Sequence, residues 1–342
     1  MKTAIGASPP GQVARAHTPR RVRSHGLLRF VFRRAVAAVL TLWGLSIAIF
    51  ALVQLLPGDL GRSILGPYAS DAEVARLNQD LGVDRPFWAR YADWLSGFVT
   101  GDWGLSLRLG APARDVILDR LANSLILAFA ALLVVVPLAV AAGAWAALRQ
   151  GRLVDRAVSI CGVALMAIPE FVSGVFLLVI FGVYLDWFPV QSTVPTLSPV
   201  DIIRQLTLPV IPLCFILFGY IARMMRASTI DVLDRPYTRT ARLKGLNMRE
   251  VFVRHVFRNA VLPTITVIAG QAGYLIGGLV IVETLFTYPG IGNFAYESAR
   301  FNDVEPLTTS VVIIGAAVLV LNLLGDIVAA LLNPRAIVGG TR

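Results

Sequence analysis

Residues 35–56 run for 22 positions without a charged side chain. At 1.5 Å per residue, a helix of that length measures about 33 Å, enough to cross a hydrocarbon core about 30 Å thick. Comparable apolar runs follow at 123–148, 157–185, 206–222, 260–282 and 306–332. The sequence therefore predicts an all-α polytopic membrane protein with six transmembrane helices in one domain, residues 28–335. Composition agrees, because 56% of residues are hydrophobic and 15% charged, whereas a soluble domain carries about a quarter charged residues.

The placement of charge orients these helices. Of 31 Lys and Arg residues, eight precede residue 35, three lie within 149–156, nine within 223–259 and two after 333. These segments are alternating connections, and an excess of Lys and Arg marks the cytoplasmic side of a membrane. The reading puts both termini in the cytoplasm and makes 57–121 a long external loop, where nine acids outnumber seven basic residues. The net charge of +10 thus reports membrane topology, with anionic lipid as neighbour, and not a nucleic-acid partner. Residues 1–27 read as a disordered basic cytoplasmic tail and 336–342 as a short one. Within the external loop, 73–81 and 88–98 read as helices. Trp88, Trp94 and Trp103 suit an interfacial belt, and the loop either caps the bundle as a scaffold or docks a partner protein outside the membrane, with Asp80, Asp84 and Asp93 as the docking candidates. Cys161 and Cys214 fall inside apolar runs as small core residues, and the three His are scattered, so no metal site is expected.

The segment 223–259 is the most structured connection. It holds nine Lys/Arg against Asp231, Asp234 and Glu250. Asn247 followed by Glu250 reads as a capping box, and Glu250 and Arg254 stand at i,i+4. Val251, Phe252, Val256 and Phe257 form an apolar side. Gly245 separates this helix from a shorter one at 237–244 and suits a positive φ. Two short helices with a glycine elbow result.

The run Tyr237-x-Arg239-Thr240-Ala241-Arg242-x-Lys244-Gly245-Leu246, with Arg254-His255, Arg258-Asn259-Ala260 and Leu262-Pro263 after it, resembles the EAA loop of ABC-importer permeases. The resemblance is to the dipeptide/oligopeptide/nickel branch, although Arg239-Thr240-Ala241 stands where the general signature has Glu-Ala-Ala. It extends to Leu55-Leu56-Pro57-Gly58-Asp59, Gly101-Asp102-Trp103-Gly104, Glu283-Thr284-Leu285-Phe286, Tyr288-Pro289-Gly290-Ile291-Gly292 and Asn333-Pro334-Arg335. The resemblance implies that 237–263 docks on an ATPase subunit through Tyr237, Arg239, Thr240, Ala241, Arg242, Lys244, Gly245 and Leu246. It further implies a homologous permease as partner, two ATP-binding subunits carrying ATP and Mg, an extracytoplasmic binding protein, a bacterial inner membrane, and peptides or related small solutes as cargo.

Three acids inside apolar runs are candidates for the translocation path: Glu170, Glu283 and Asp326. An ionisable group in a membrane helix is costly, so each needs a reason. Glu170 follows Pro169 and serves either the path or a hydrated kink. Glu283 faces a cavity or a headgroup. Asp326, one turn from Asn322, serves the path or packs against the inner loops. The chain has no Gly-x-x-x-x-Gly-Lys-Ser/Thr, no His-Glu-x-x-His and no Gly-x-Ser-x-Gly, so it carries no nucleotide-hydrolysing, zinc-protease or serine-hydrolase motif. It reads as a transport subunit without cofactor or enzymatic activity of its own. The alternative is a stand-alone secondary transporter or channel with Glu170, Glu283 and Asp326 as ion sites.

Overall fold

The computed structural model describes residues 24–55, 60–66, 68–80, 82, 85–106, 108–192 and 198–332. Of the expected tails, 1–23 and 336–342 lie outside these residues, as do Pro57-Gly58, Asp84 and Asn333-Pro334-Arg335. The fold is helical: α1 (Ser24–Gln54), α2 (Leu60–Leu65), α3 (Asp71–Asp80), α4 (Phe87–Thr100), α5 (Ala113–Leu148), α6 (Leu153–Ala167), α7 (Glu170–Leu177), α8 (Pro199–Leu233), α9 (Pro236–Leu243), α10 (Met248–Val251), α11 (Arg258–Leu285), α12 (Ile291–Arg300) and α13 (Val304–Leu332). A two-residue hairpin, β1 (Leu105–Ser106) and β2 (Ala111–Pro112), leads into α5.

Among the described residues, five helices are long and apolar enough to cross a membrane: α1, α5, α8, the continuous rod from α10 into α11, and α13. The expected third span, 157–185, is not a single helix. Pro169 cannot donate a backbone hydrogen bond, and at that point α6 and α7 bend by 98°. A π-type stretch, Leu178–Tyr184, continues α7.

Contacts settle whether the bent pair crosses. Cys214 Sγ donates to the Ala131 carbonyl, and Gly143 abuts the backbone of Ala222. Both numbers rise together, so α5 and α8 run parallel, and the chain between them must traverse the bundle. It does so along α8. Asp155 meets Arg226, Gly162 meets Gly219, Gly174 meets Pro212 and Gly182 meets Leu208, an antiparallel register spanning both limbs. The broken pair is therefore the sixth crossing. Elsewhere Thr264 meets Met225, Ala269 meets Gly325 and Leu45 meets Gly315, so α8, α11, α13 and α1 alternate in direction.

Glycines decide where helices approach most closely. A Cβ on Gly143 would collide with the Ala222 carbonyl, and one on Gly219 with Gly162 and Met166. Around these contacts sits the main core, with Leu127, Val135, Leu217, Ile221, Leu279 and Phe286 buried. Cys214 borders this core, whereas Cys161 is exposed on α6, contrary to the expected core position.

In the outer region Trp94 and Trp103 are half-buried. They stack with Phe98 at ring-centroid distances of 5.4 and 5.9 Å, and the Trp94 indole donates to Thr309 on α13, while Trp88 is exposed. Ser70 and Glu73 cap α3 reciprocally. The Ser70 hydroxyl, then its amide, hold the Glu73 carboxyl below the usual range.

Candidate functional site

The register places three basic features at one end of the bundle. Arg34 near the start of α1 pairs with Asp326 near the end of α13 (Nε–Oδ2 3.0 Å). The α5–α6 turn, with Arg149, Arg152 and Arg156, joins the same end through Asp155. Its carboxylate, on a buried residue, accepts two hydrogen bonds from the Arg226 guanidinium and one from the Gly151 amide (2.9 Å). A bidentate guanidinium–carboxylate pair is directional as well as strong, so it fixes the base of α8 against the turn. The segment 223–259 completes this end.

Its architecture departs from the expected pair of free helices. Helix α8 continues to Leu233, eleven residues past the predicted end at Ala222. The second helix is not separate either: α10, a π-type stretch Phe252–Phe257 and α11 form one rod of 38 residues. Between α8 and this rod stands α9, started by Pro236 at its first turn. Pro has a pre-set φ and needs no hydrogen-bond partner there. Gly245 turns the chain at φ 86°, a left-handed conformation that costs other L residues about 1–2 kcal/mol. The capping box forms, with the Glu250 amide donating to Asn247 Oδ1 (2.9 Å) and the Asn247 amide to Glu250 Oε2 (3.2 Å). Glu250 is thereby engaged, and no Glu250–Arg254 ion pair exists among the described residues.

The eight residues of the expected coupling site divide by burial. Ala241 is buried and Leu246 half-buried, both packed with Met225, Val232, Val251, Val256 and Ala260. Thr238, also buried, donates to the Val232 carbonyl. These contacts attach the elbow to the bundle. Tyr237, Arg239, Thr240, Arg242, Lys244 and Gly245 face outward. Leu243, which sequence reasoning passed over, is 83% exposed among these cations. Once Thr238 and Ala241 set the inward face at i,i+3, Leu243 lies opposite; that spacing was the available signal. An exposed apolar side chain ringed by cations suits a protein partner. Beside the elbow, a cleft of about 470 Å³ opens between Ala227 and Asp231 of α8, Tyr237, and Asn259 and Pro263 of α11.

The three intramembrane acids do not converge. Asp326 is held by Arg34, while Asn322 one turn away lies against Gly273 of α11. Glu283 faces neither a headgroup nor an open cavity, being 0% exposed. Its carboxylate accepts from the Ser124 hydroxyl and from the backbone amides of Gly292 and Asn293, in the first turn of α12. Glu283 thus joins the outer ends of α5, α11 and α12. Glu170, at the α6–α7 break, accepts from the Tyr274 phenol (3.4 Å).

Comparison with known proteins follows the same lines. Residues 139–338 match the model of the binding-protein-dependent transport system inner membrane component. Residues 27–128 match the N-terminal model of binding-protein-dependent transport system membrane components. The glutathione transport system permease protein GsiC of Escherichia coli (strain K12) is 32% identical over 308 residues, covering 90% of this chain and 98% of the relative. The same protein from Shigella flexneri serotype 5b (strain 8401) gives the same figures. The probable peptide ABC transporter permease protein y4tP of Sinorhizobium fredii (strain NBRC 101917 / NGR234) is 32% identical over 307 residues, with 90% and 98% coverage.

Proposed function

The chain belongs to the inner-membrane components of binding-protein-dependent transport systems, and we propose that it forms half of a peptide translocation path driven through the α9 elbow. It is a permease subunit of an ABC importer in the inner membrane, not an enzyme by itself, and works with an ATPase and a substrate-binding protein. The finer assembly is our reading: a homologous permease completes the path, and two ATPases bind ATP and Mg. The basic end of the bundle faces the cytoplasm, as expected for an arginine-rich end. Short peptides, glutathione included, are the cargo class, following the names of the relatives.

The observation that carries the coupling role is Leu243. It is apolar, exposed and surrounded by Arg239, Arg242 and Lys244 on an element whose other face is anchored by Thr238 and Ala241. In this reading Tyr237, Arg239, Thr240, Arg242 and Lys244 meet the ATPase, Ala241 and Leu246 hold the elbow to the bundle, and Gly245 gives it its shape. Glu170 borders the path, whereas Glu283 and Asp326 brace the ends. ATP-driven approach of the ATPases would move the elbow as a rigid body, and the helices would follow as a hinge or shear. Cysteines replacing Arg242 or Lys244 should cross-link to the ATPase in the assembled importer; no cross-link at any position of the elbow would remove the coupling role. The chain alone in liposomes should move no solute. Movement under a proton gradient without nucleotide would instead favour a secondary transporter.

A further inference from the structure

The helix faces left uncovered in the protomer are of two kinds. On α1 and α5 the exposed positions are mainly large and apolar, among them Phe32, Leu40, Leu52, Phe129, Leu133 and Leu138, as lipid contact requires, with Thr41 and Gly44 beside them on α1. Beyond Asn259, the exposed positions of α11 are Pro263, Thr266, Gly270, Tyr274, Gly277 and Ile281. Their spacing of three and four makes one continuous stripe. Two glycines, a threonine and a tyrosine offer little to hydrocarbon, and a phenol there loses its water partners. Cβ positions on Gly270 and Gly277, one turn either side of Tyr274, meet nothing within 4 Å.

Glu170 borders this stripe. The break at Pro169 starts α7 against α11, where Gly278 leaves room for the carboxylate and Tyr274 donates to it. Asp155 and Asp326 have guanidinium partners and Glu283 has three donors. Among the described residues Glu170 has no salt-bridge partner and accepts from a single phenol. A carboxylate without a cationic partner, beside an exposed phenol, attracts an ammonium group through charge.

We propose that Glu170 and Tyr274 form a subsite for the primary ammonium group of the cargo, on a water-exposed wall made by α11. The proposal rests on the permease reading and adds to it a contact between this chain and one end of a short peptide.

The test uses the complete importer in proteoliposomes, in a Cys161→Ala, Cys214→Ala background with one cysteine introduced, Gly277→Cys. Two thiol reagents of similar size are compared, a trimethylammonium-ethyl and a sulfonato-ethyl methanethiosulfonate. With Glu170 present the cationic reagent should react faster, and Glu170→Gln should lower the cation-to-anion rate ratio about tenfold. Arg223 of α8 is common to both backgrounds and cancels. Gly270→Cys, equally unobstructed, should show the same drop and guards against a local effect of the first cysteine. If neither cysteine reacts with either reagent, no water reaches the stripe and the proposal fails. An unchanged ratio in Glu170→Gln overturns it as well. ATP-driven uptake by the unmodified importer is measured separately, so a failure of the permease reading is distinguishable from a failure of the subsite.

Discussion

Replacing Gly245 by valine tests the elbow directly. Gly245 has φ 86°, and a Cβ added there would meet nothing within 4 Å, so the substitution faces no steric obstacle beyond its own backbone. The left-handed conformation costs an L residue about 1–2 kcal/mol, with β-branching at the upper end. That changes the ratio of bent to relaxed elbows roughly 5–30-fold. The easiest relief is fraying of the last turn of α9, where the Lys244 amide donates to Thr240 and the Gly245 amide to Arg242. Thr238 lies before that turn and stays bonded to the Val232 carbonyl, so insertion and folding should be normal. In proteoliposomes with all partners, uptake per ATP hydrolysed should fall about fivefold or more. Gly245→Asn should retain most coupling, because asparagine visits this region readily. Two results would refute the reasoning. Full coupling with valine would remove the backbone argument. Equal failure of asparagine and valine would mean that the elbow tolerates no side chain at the docking surface, whatever its backbone preference.

Three further outcomes are expected. Leu243→Ser removes an 83% exposed side chain, so thermal stability in detergent should not change, while recovery of the ATPase by gentle copurification should fall by roughly tenfold, as for loss of an interface hot spot. Asp155→Ala leaves the Arg226 guanidinium and the Gly151 amide without their acceptor; the cost is on the order of 2 kcal/mol, read as a lower Tm of the purified subunit. Glu283→Ala strands the Ser124 hydroxyl and two amides of α12, and at about 1 kcal/mol or more per orphaned buried donor it should lower Tm and expose 286–303 to protease.

Much of the fold was legible because lipid leaves few options. The run 35–56 had to be a helix, and the Arg clusters identified which connections share an end. The helix ends were less legible. Residues 223–233 and 113–122 are amphipathic and extend α8 and α5 beyond the apolar windows, since protein contacts such as Arg226 with Asp155 replace lipid as the partner. The elbow was readable residue by residue, because Pro236, Gly245, Asn247 and Glu250 each act locally. Leu243 was missed because exposure depends on the phase of α9, which Thr238 and Ala241 set only through tertiary contact. Glu283 was misplaced for a related reason. Its partners, Ser124 and the amides of Gly292 and Asn293, lie in other elements, and only their convergence explains a carboxylate fully enclosed.

These placements give the rod from Met248 to Leu285 unequal ends. Its outer end is tied through Glu283 to α5 and α12, and its inner end carries the elbow. At 1.5 Å per residue the rod is about 55 Å long, and Tyr274 lies about 16 Å from the tied end. A tilt about that end therefore moves Tyr274 by roughly a third of the displacement at the elbow. The Pro169 break matters for the same reason. Glu170 starts a limb that meets α11 beside Gly278, whereas Asp155 at the start of the other limb is bolted to Arg226 of α8. Tilting the rod against α8 would thus change the separation of Glu170 and Tyr274, so that force applied at the arginine-rich end is converted into a change of geometry midway along the bundle.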